Sequence, residues 1–235
     1  MNFIVTGASR GIGFQTVLKL AESEGNRVIA IARDREKLNQ LLLESSRKQP
    51  NSEVIPIVFD LQQTDLFDSV LIPQIKEYFT YADVLINNAG LLVNSAFDQL
   101  SLLEMMQMLT VNFIAPAYLT KLIIPLMAKD GHVVNISSMG GFQGSQKFKG
   151  LSIYSSSKAA LASLSECLAE EYRDSSISFN CLALGATDTE MMRAAFPGYN
   201  ASAKPDEMAK FIVEFAINGN KYFNGKIIPV STSTP

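Results

Sequence analysis

The stretch VTGASRGIG, residues 5–13, joins a β-branched run to an apolar helical pattern near the start of the chain. Its glycines at positions 7, 11 and 13 would let the backbone turn tightly and approach a ligand closely. Such a turn between a strand and a helix N-terminus is a site for a pyrophosphate. The spacing is Gly-x-x-x-Gly-x-Gly, and a plain glycine-rich turn is the alternative interpretation. Its position at the first strand–helix junction favours a nucleotide cofactor.

Short β-branched runs alternate with longer helical patterns along the chain. The runs are almost continuously apolar, which is typical of parallel strands buried on both faces. The alternation predicts an α/β fold: a three-layer, Rossmann-type doubly wound parallel sheet of about seven strands with helices on both faces. Residues 1–235 are expected to form a single domain. The predicted strands cover residues 2–6, 27–32, 53–59, 84–87, 132–137, 177–183 and 226–230, and the predicted helices cover residues 12–24, 34–48, 65–79, 102–128, 155–173 and 205–218.

The composition is typical of a soluble globular protein, because 47% of the 235 residues are hydrophobic and 18% are charged. The net charge of −3 gives no indication of nucleic acid or an anionic membrane surface as partner. The apolar stretch at residues 111–127 is broken by Asn112, Pro116, Lys121 and Pro125, so it is expected to be too interrupted to span a membrane. No signal-peptide pattern is visible, and a cytoplasmic location is expected.

Two cysteines and one histidine limit the chemistry that the chain can carry. Cys167 and Cys181 are expected to be buried thiols, since two cysteines are no disulfide framework. His132 is interpreted as a solvent-side residue that enters a strand. With one histidine and no Cys-x-x-Cys, no metal site is expected.

Tyr154 and Lys158 are four residues apart in a helical pattern, so their side chains would lie on one helix face. A nearby ammonium lowers the pKa of a phenol, which is ordinarily about 10. Such a phenol could give a proton to a carbonyl oxygen or take one from an alcohol. Ser138, at the end of the preceding strand, could hold the same oxygen. Alone, this spacing also arises by chance on many amphipathic helices.

The second predicted strand ends at Ala32-Arg33-Asp34, where a dinucleotide-binding fold reads the adenosine ribose. An acidic residue in place of Ala32 would favour NAD(H), whereas Arg33 and Arg10 suit the 2′-phosphate of NADP(H). Asp34 is interpreted as the N-cap of the next helix. Asp60, after the third strand, could accept a hydrogen bond from adenine or cap a turn.

The fourth predicted strand ends in the stretch NNAG, residues 87–90, whose asparagines would satisfy backbone groups and whose Ala-Gly would allow close approach to a ligand. Asn112 lies in the next helical pattern, four residues before Pro116. Because proline has no N–H, Pro116 cannot donate to the Asn112 carbonyl. That carbonyl could hold a water, and a simple kink is the alternative.

Taken together and in order, these motifs resemble those of the short-chain dehydrogenase/reductase (SDR) family, and in particular its NADP(H)-preferring subgroup. The resemblance covers nearly the whole chain. It implies that Tyr154 is the general acid/base and that Lys158 lowers the tyrosine pKa and binds the nicotinamide ribose. It also implies that Ser138 orients the substrate oxygen, that Ser137 faces the core and that Asn112 holds a water in a relay to Lys158. The cofactor-binding residues that it implies are Thr6, Gly7, Ser9, Arg10, Gly11, Ile12, Gly13, Arg33, Asp60, Leu61, Asn88, Ala89, Gly90, Tyr154, Lys158, Gly185, Thr187 and Thr189.

Two features depart from the family pattern. Leu184-Gly185 stands where Pro-Gly is usual, and Thr187 where valine or isoleucine is common, so the backbone beside the nicotinamide would be freer. Cofactor binding is still expected. The loop between Ser138 and Tyr154 is longer than is usual in the family, which would alter one wall of the pocket.

Residues 190–204 correspond to the substrate lid of the family. Apolar side chains would give it a pliable inner face, although an ordinary surface helix and loop is the alternative. Leu91, Leu92 and Val93 could complete the pocket. The substrate-binding residues implied are Ser138, Gly140, Phe142, Met191, Met192 and Phe196, with Tyr199 as a further lid residue.

The sequence therefore predicts an NADP(H)-dependent carbonyl reductase or alcohol dehydrogenase, with NAD(H) as the alternative cofactor. Its substrate would be a small to medium apolar ketone or aldehyde, and a 3-oxoacyl thioester is one candidate. A regulatory protein that keeps the NADP(H) site with reduced catalysis is the alternative function. An isomerase or dehydratase is disfavoured by chain length and glycine spacing. The family also implies a homodimer or homotetramer that pairs through the helices predicted at 102–128 and 155–173.

Overall fold

The computed structural model describes residues 1–231 of the chain. It contains a seven-stranded parallel sheet in the order β3-β2-β1-β4-β5-β6-β7, with helices on both faces, which confirms the predicted Rossmann-type fold. The strands are β1 (Asn2–Thr6), β2 (Arg27–Ala32), β3 (Glu53–Val58), β4 (Ala82–Asn87), β5 (Met127–Ser138), β6 (Ser178–Leu184) and β7 (Ile227–Val230).

Eight α-helices connect these strands within the described residues. Two π-helical turns, Phe67–Leu71 and Thr110–Ile114, run directly into α3 and α5. The helices are α1 (Gly11–Ala21), α2 (Arg35–Lys48), α3 (Ile72–Tyr78), α4 (Leu102–Leu109), α5 (Ala115–Ile123), α6 (Ser152–Glu171), α7 (Glu190–Ala195) and α8 (Pro205–Asn218).

Alternation along the strands produces a core on each face of the sheet. Phe3 and Val5 point towards the layer that includes α1 and α8, whereas Ile4 between them points towards the layer of α3, α5 and α6. All three side chains are fully buried. The strand order reverses beside β1, where the chain goes first to β2 and later returns to β4. Ligands bind at the carboxyl ends of the strands beside such a reversal.

β5 begins at Met127, earlier than the predicted strand, because Met127 pairs with Ala82 at the start of β4. His132 therefore lies in mid-strand and is 1% exposed, so its interpretation as a solvent-side residue is wrong. Its Nδ1 lies 3.0 Å from the Ala216 carbonyl oxygen and its Nε2 lies 3.0 Å from Nδ2 of Asn180. Burial lowers the pKa of His132 to about 4.

The two cysteines differ in their surroundings. Cys181, in β6, is buried as expected, and burial raises the pKa of its thiol to about 12. Cys167 is exposed, so the expectation of a buried thiol there is wrong. It lies on the outer face of α6, whose inner face is formed by residues such as Ala162, Ser165 and Ala169.

Among residues 1–231, one helical run, Leu102–Leu126, is long and apolar enough by length and composition to cross a membrane. The apolar stretch that begins at residue 111, expected from the sequence to be too interrupted to span a membrane, is part of this longer run, which begins at Leu102. Core helices of sheet proteins can have the same length and composition. In this run Ala115, Leu119 and Ile123 pack against the sheet with at most 1% exposure, and 33% of the most apolar 18-residue window is buried.

Candidate active site

A cavity of about 780 Å³ opens at the carboxyl ends of the strands, beside the reversal of strand order. It is lined by the turn after β1, the ends of β2 to β6, the start of α6 and the segment that follows β6. Most residues implied for cofactor and substrate binding border it: Gly7, Ser9, Arg10, Gly11, Ile12, Gly13, Arg33, Asp60, Leu61, Asn88, Ala89, Gly90, Ser138, Gly140, Tyr154, Lys158, Gly185, Thr187, Thr189, Met191, Met192 and Phe196.

The glycine turn is packed tightly against the end of β4. Gly7 has a φ of 71°, and a Cβ there would lie 2.7 Å from the Cα of Ala89. Nδ2 of Asn88 donates to the carbonyl oxygens of Thr6 (2.9 Å) and Gly7 (3.3 Å). The Thr6 hydroxyl in turn accepts from the backbone N–H groups of Asn88 and Ala89, both at 3.1 Å. Thr6 thus links the glycine turn to the end of β4 and does not line the cavity.

The N-terminus of α1 faces this cavity. Arg10 is its N-cap residue, with extended backbone and, within residues 1–231, no side-chain cap hydrogen bond. The first N–H groups of a helix have no partner inside the helix, and they attract an anion. Gly11, with a φ of 57°, keeps space open, because a Cβ there would lie 3.3 Å from Cγ2 of Thr189. The turn therefore fits a pyrophosphate.

Charged side chains collect beyond the end of β2. Ala32 ends the strand, and Asp34 caps α2 as predicted, accepting from the Lys37 N–H at 3.0 Å. Arg33 lies 4.0 Å from Asp60. Asp60 accepts from the Gln62 N–H at 3.0 Å and also borders the cavity, so it caps its turn and remains available to a ligand.

Two residues that the sequence analysis did not single out join this group. Glu190, the first residue of α7, accepts from Arg10 at 3.3 Å and from Lys37 at 3.2 Å. These cations lower the pKa of the Glu190 carboxyl, Lys37 most strongly. Lys37 stands four residues after Arg33, a spacing that could have indicated it. Glu190 had no local signal.

Lys158 is almost completely buried on α6, next to the end of β5. Its Nζ donates to the Ile136 carbonyl oxygen at 2.7 Å, and burial lowers the pKa of Lys158 to about 8. Ser137, buried as expected, donates to the Lys158 carbonyl oxygen at 2.8 Å. Gly90 lies beside this ammonium, because a Cβ there would be 3.5 Å from Nζ, and both residues border the cavity.

Tyr154 and Ser138 meet in the same part of the cavity. The Ser138 hydroxyl accepts from the Gly140 N–H at 3.2 Å and is hydrogen-bonded to the Tyr154 hydroxyl. The pKa of Tyr154 is raised, because burial outweighs that hydrogen bond. The expectation that the tyrosine pKa is lowered is therefore wrong for this structure. The ammonium of Lys158 is engaged with the Ile136 carbonyl, and the cavity wall favours the neutral phenol.

Asn112 is fully buried in the π-helical turn and joins two segments of the site. Its side chain accepts from the Leu91 N–H at 2.7 Å, and its Nδ2 donates to the Leu91 carbonyl at 2.8 Å. The same Nδ2 donates to Oγ of Ser157 at 3.0 Å. The side chain thereby ties the loop after β4 to α6, next to Lys158.

The loop between β5 and α6 supplies one wall of the cavity, but not through the residue expected. Met139, Gln146 and Phe148 border the cavity, whereas Phe142 does not, so the expectation for Phe142 is wrong. Phe142 belongs to a turn whose carbonyls are held from within the loop. The ammonium of Lys147 donates to the carbonyls of Gly140 (2.9 Å) and Phe142 (2.7 Å) and to Ser145 Oγ (2.9 Å).

The segment after β6 forms the opposite wall. Met191, Met192, Phe196 and Tyr199 border the cavity, as do Leu91 and Leu92 but not Val93, so the expectation for Val93 is wrong. Nδ2 of Asn94 donates to the Ala195 carbonyl at the end of α7, at 2.7 Å. Thr187 pairs with Ala203, which closes the base of this segment.

The backbone at Leu184-Gly185 is held by β7 although the usual proline is absent. Leu184 pairs with Val230, and the Gly185 N–H donates to the Val230 carbonyl at 2.9 Å. A Cβ at Gly185 would lie 2.6 Å from Oγ of Ser231, so a larger residue there would require the serine to move. These contacts restrain the backbone at the position where the absence of proline is expected to free it.

Comparison with known proteins identifies the family. The family model for short chain dehydrogenases matches residues 2–200, most of the chain. The chain belongs to the short-chain dehydrogenase family. It is accordingly an SDR-type oxidoreductase.

Relatives of this SDR match it over most of its length. An uncharacterized oxidoreductase of Staphylococcus aureus is 28% identical over 229 residues, which are 97% of this chain and 95% of the relative. Ketoacyl reductase HetN of Nostoc is 30% identical over 217 residues, covering 90% and 73% of the two chains. The 3-oxoacyl-acyl-carrier-protein reductase FabG of Chlamydia trachomatis is 28% identical over 239 residues, covering 97% and 94%.

Solved structures share the fold closely. A short chain dehydrogenase from Shigella flexneri, complexed with NADP, has a TM-score of 0.86 at 25% identity and covers 97% of this chain and 95% of its own. One from Burkholderia cenocepacia, also in complex with NADP, has a TM-score of 0.87 at 24% identity and covers 99% and 96%.

Proposed function

We propose that the protein is an NADP(H)-dependent carbonyl reductase or alcohol dehydrogenase. The observation that supports this most directly is the position of Tyr154, Ser138 and Lys158 on one cavity with the glycine turn. A bound nicotinamide supplies or accepts a hydride, and the side chains must then handle the oxygen and its proton. Residues 1–235 would act as one cofactor-binding and catalytic domain.

The proton chemistry follows from the surroundings of Tyr154. Its raised pKa keeps the phenol protonated at neutral pH, so it can donate to a carbonyl oxygen that gains negative charge. Ser138, hydrogen-bonded to Tyr154, would hold the same oxygen and fix its distance from the phenol. Lys158, with a pKa of about 8, is mainly cationic at neutral pH and can bind ribose hydroxyls and stabilise a phenolate. This arrangement favours the reduction direction.

The charge pattern beyond β2 favours NADP(H) over NAD(H). Arg10, Arg33 and Lys37 border the cavity where the adenosine ribose would lie, and the strand ends in Ala32 instead of a carboxylate. Guanidinium groups bind phosphate through paired hydrogen bonds. The NADP complexes of the similar Shigella and Burkholderia proteins support this choice.

The substrate end of the cavity is largely apolar. Met139, Phe148 and Leu151 on one side and the side chains of residues 190–204 on the other suit a small to medium apolar ketone or aldehyde. A 3-oxoacyl thioester is the more specific candidate, supported by the names of the HetN and FabG relatives. Residues 190–204 would act as the substrate lid.

A catalytically reduced NADP(H)-binding regulatory protein is the second candidate. The observation that favours it is Leu184 in place of the proline that is usual in the family. The backbone there is nevertheless held by β7, as described above, and Ser138, Tyr154 and Lys158 are all present. The two candidates differ in turnover but not in cofactor binding.

Assembly into a homodimer or homotetramer is a further part of the proposal. Leu102, Leu103 and Met106 on α4 are more than half exposed, and α6 packs beside α4. A contiguous exposed apolar surface of this kind is typical of a protein–protein interface. Light scattering after size exclusion would give the mass in solution.

The decisive experiment is a panel of ketones, aldehydes and a 3-oxoacyl thioester, read by the loss of NADPH absorbance. Turnover of any member supports the reductase. NADPH binding without turnover of the panel or oxidation of the matching alcohols would favour the regulatory alternative. Absence of NADPH and NADH binding would overturn both.

A further inference from the structure

The first residue of the lid segment holds two cations of the cofactor site. One carboxylate oxygen of Glu190 accepts from the guanidinium of Arg10 and from the ammonium of Lys37. Arg10 belongs to the glycine turn, Lys37 to α2 and Glu190 to α7, so the contacts cross the cavity. All three residues border it.

The cations that Glu190 holds would otherwise be free to bind a phosphate. Of the four other charged residues that border this cavity, Arg33 and Asp60 lie 4.0 Å apart, Asp34 caps α2, and Lys158 lies at the catalytic end. Glu190 therefore takes the place beside Arg10 and Lys37 that a phosphate oxygen would occupy. No comparable carboxylate lies on the two cations within residues 1–231.

We propose that Glu190 is an internal substitute for the 2′-phosphate of NADP(H), which must displace it from Arg10 and Lys37 to bind fully. This inference rests on the proposed function. A phosphate monoester carries more charge than a carboxylate and offers three acceptor oxygens. It therefore competes well for a guanidinium and an ammonium. NAD(H), with a ribose hydroxyl at this position, cannot make the exchange.

The geometry permits the displacement. The side chains of Arg10, Lys37 and Glu190 are 47%, 37% and 50% exposed, and ion pairs this exposed are weak. A second cavity of about 230 Å³ adjoins α7 and the loop after β4 and is also bordered by Arg10 and Glu190. It gives the displaced carboxylate room to turn. The other end of α7 stays attached through Asn94 and the Ala195 carbonyl.

The consequence is that cofactor identity is coupled to the lid. While Glu190 holds Arg10 and Lys37, the start of α7 is fixed to the glycine turn and α2. Once a 2′-phosphate occupies those cations, the start of the lid loses its contact with the cofactor site. The bond from Asn94, the ion pair of Asp188 with Arg193 and the pairing of Thr187 with Ala203 still restrain it. A lid that closes over substrate needs the freedom that this loss of contact gives.

The test compares two probes that differ only in the 2′-phosphate, adenosine 2′,5′-bisphosphate and adenosine 5′-monophosphate, by calorimetric titration of the full chain. Glu190→Gln should tighten binding of the bisphosphate about tenfold, as expected for the loss of two exposed ion pairs, and leave the monophosphate within about twofold. Asp188→Asn is the matched control. It removes the same charge two residues away, where Asp188 pairs with Arg193, and should change neither affinity.

Other results would overturn the inference. Unchanged or weaker bisphosphate binding by Glu190→Gln would show that the carboxylate does not compete with the phosphate. An equal gain in bisphosphate affinity in Asp188→Asn would also overturn the inference, because it would indicate an effect of total charge. Asn94→Ala removes the bond to the Ala195 carbonyl without altering charge, so it should change the affinities for the two probes by the same factor. A gain confined to the bisphosphate in this variant would contradict the role of the Glu190 charge. If the wild type distinguishes the probes while Glu190→Gln does not respond, the substitution role alone fails. If the wild type binds neither probe nor NADPH, the proposed function fails with it.

Discussion

The side chain of Asn112 and the backbone of Leu91 are joined by two reciprocal hydrogen bonds, of 2.7 and 2.8 Å. This pairing resembles one rung of a sheet, with the amide side chain in place of a second strand. Together with the bond to Ser157, it uses both polar atoms of the side chain. Any water held at Asn112 would therefore bind its carbonyl, to which Pro116 has no N–H to donate.

Asn112→Ala should destabilise the protein by about 1–3 kcal/mol, because it leaves the Leu91 N–H and carbonyl without their partner. It should also lower kcat, since the loop after β4 borders the cavity next to Lys158. Urea unfolding and steady-state kinetics measure the two effects. Ser157→Ala removes one of the three hydrogen bonds of the Asn112 side chain, together with the bond from Ser157 to the Tyr154 carbonyl, and leaves the Leu91 pairing intact, so it should cost less. Equal losses in both variants would contradict the importance of the Leu91 pairing.

Tyr154→Phe should abolish carbonyl reduction and leave NADPH affinity within about threefold, because the phenol supplies a proton and little binding. NADPH titration by fluorescence and turnover by absorbance separate the two. Tyr118→Phe provides the same chemical change on a residue of α5 that hydrogen-bonds to Asp68 and does not border the cavity. Its activity should match the wild type. Substantial turnover by Tyr154→Phe would remove the assigned role.

Arg33→Ala should weaken NADPH binding about 10- to 100-fold, the range for a lost charge-assisted hydrogen bond to phosphate, and leave NADH binding nearly unchanged. The control for a lost positive charge is Arg47→Ala, in the last turn of α2, the helix that begins two residues after Arg33. Equal weakening of NADPH and NADH by Arg33→Ala would argue against recognition of the 2′-phosphate.

His132 should make the fold sensitive to mild acid. Its pKa is lowered from 6.5 to about 4, so between these values the unfolded chain binds a proton that the folded chain does not. Stability attributable to His132 is therefore complete above about pH 6.5 and is lost as the pH falls towards 4. Between pH 7 and pH 5 the loss should be about 2 kcal/mol.

His132→Gln tests this directly, because the chain has a single histidine. The variant should be less stable than the wild type at pH 7 but should lose less stability on going to pH 5, as measured by urea unfolding. Parallel losses in the two proteins would show that carboxylates alone govern the acid response.

The lid interpretation predicts that ligands protect residues 190–204 from proteolysis. Chymotrypsin should cleave after Tyr199, which is 53% exposed, and cofactor with substrate should slow this cleavage at least fivefold if the lid closes. Tyr222, 80% exposed and remote from the cavity, is an internal control whose cleavage should not change. Equal rates at Tyr199 with and without ligands would contradict closure.

The sequence predicted those parts of the site that depend on local spacing. The glycine turn, the strand ends and the presence of Tyr154 and Lys158 on one cavity need only the period of a helix and the position of a strand end. The error at His132 arose because the length of β5 is set by its partner β4, through the pairing of Met127 with Ala82. No local pattern shows where a neighbouring strand begins.

Loops were the harder part of the site. Phe148 rather than Phe142 borders the cavity because Lys147 and Ser145 fold the loop back on its own carbonyls. The placement of Glu190 next to Lys37 joins positions 153 residues apart and depends on the whole sheet. The raised pKa of Tyr154 likewise reflects the surrounding walls, which a motif does not describe.

The internal bonding of the loop at Lys147 has a consequence for the diversification of this enzyme. Because this loop is held by hydrogen bonds among its own residues, cavity-facing side chains such as those of Gln146 and Phe148 can be substituted without disturbing the sheet or the cofactor site. On the proposed function, substrate preference would be separated from nucleotide binding. The loop would then be a suitable segment to graft in order to retarget the reaction, provided that Lys147 and its carbonyl partners are transferred together.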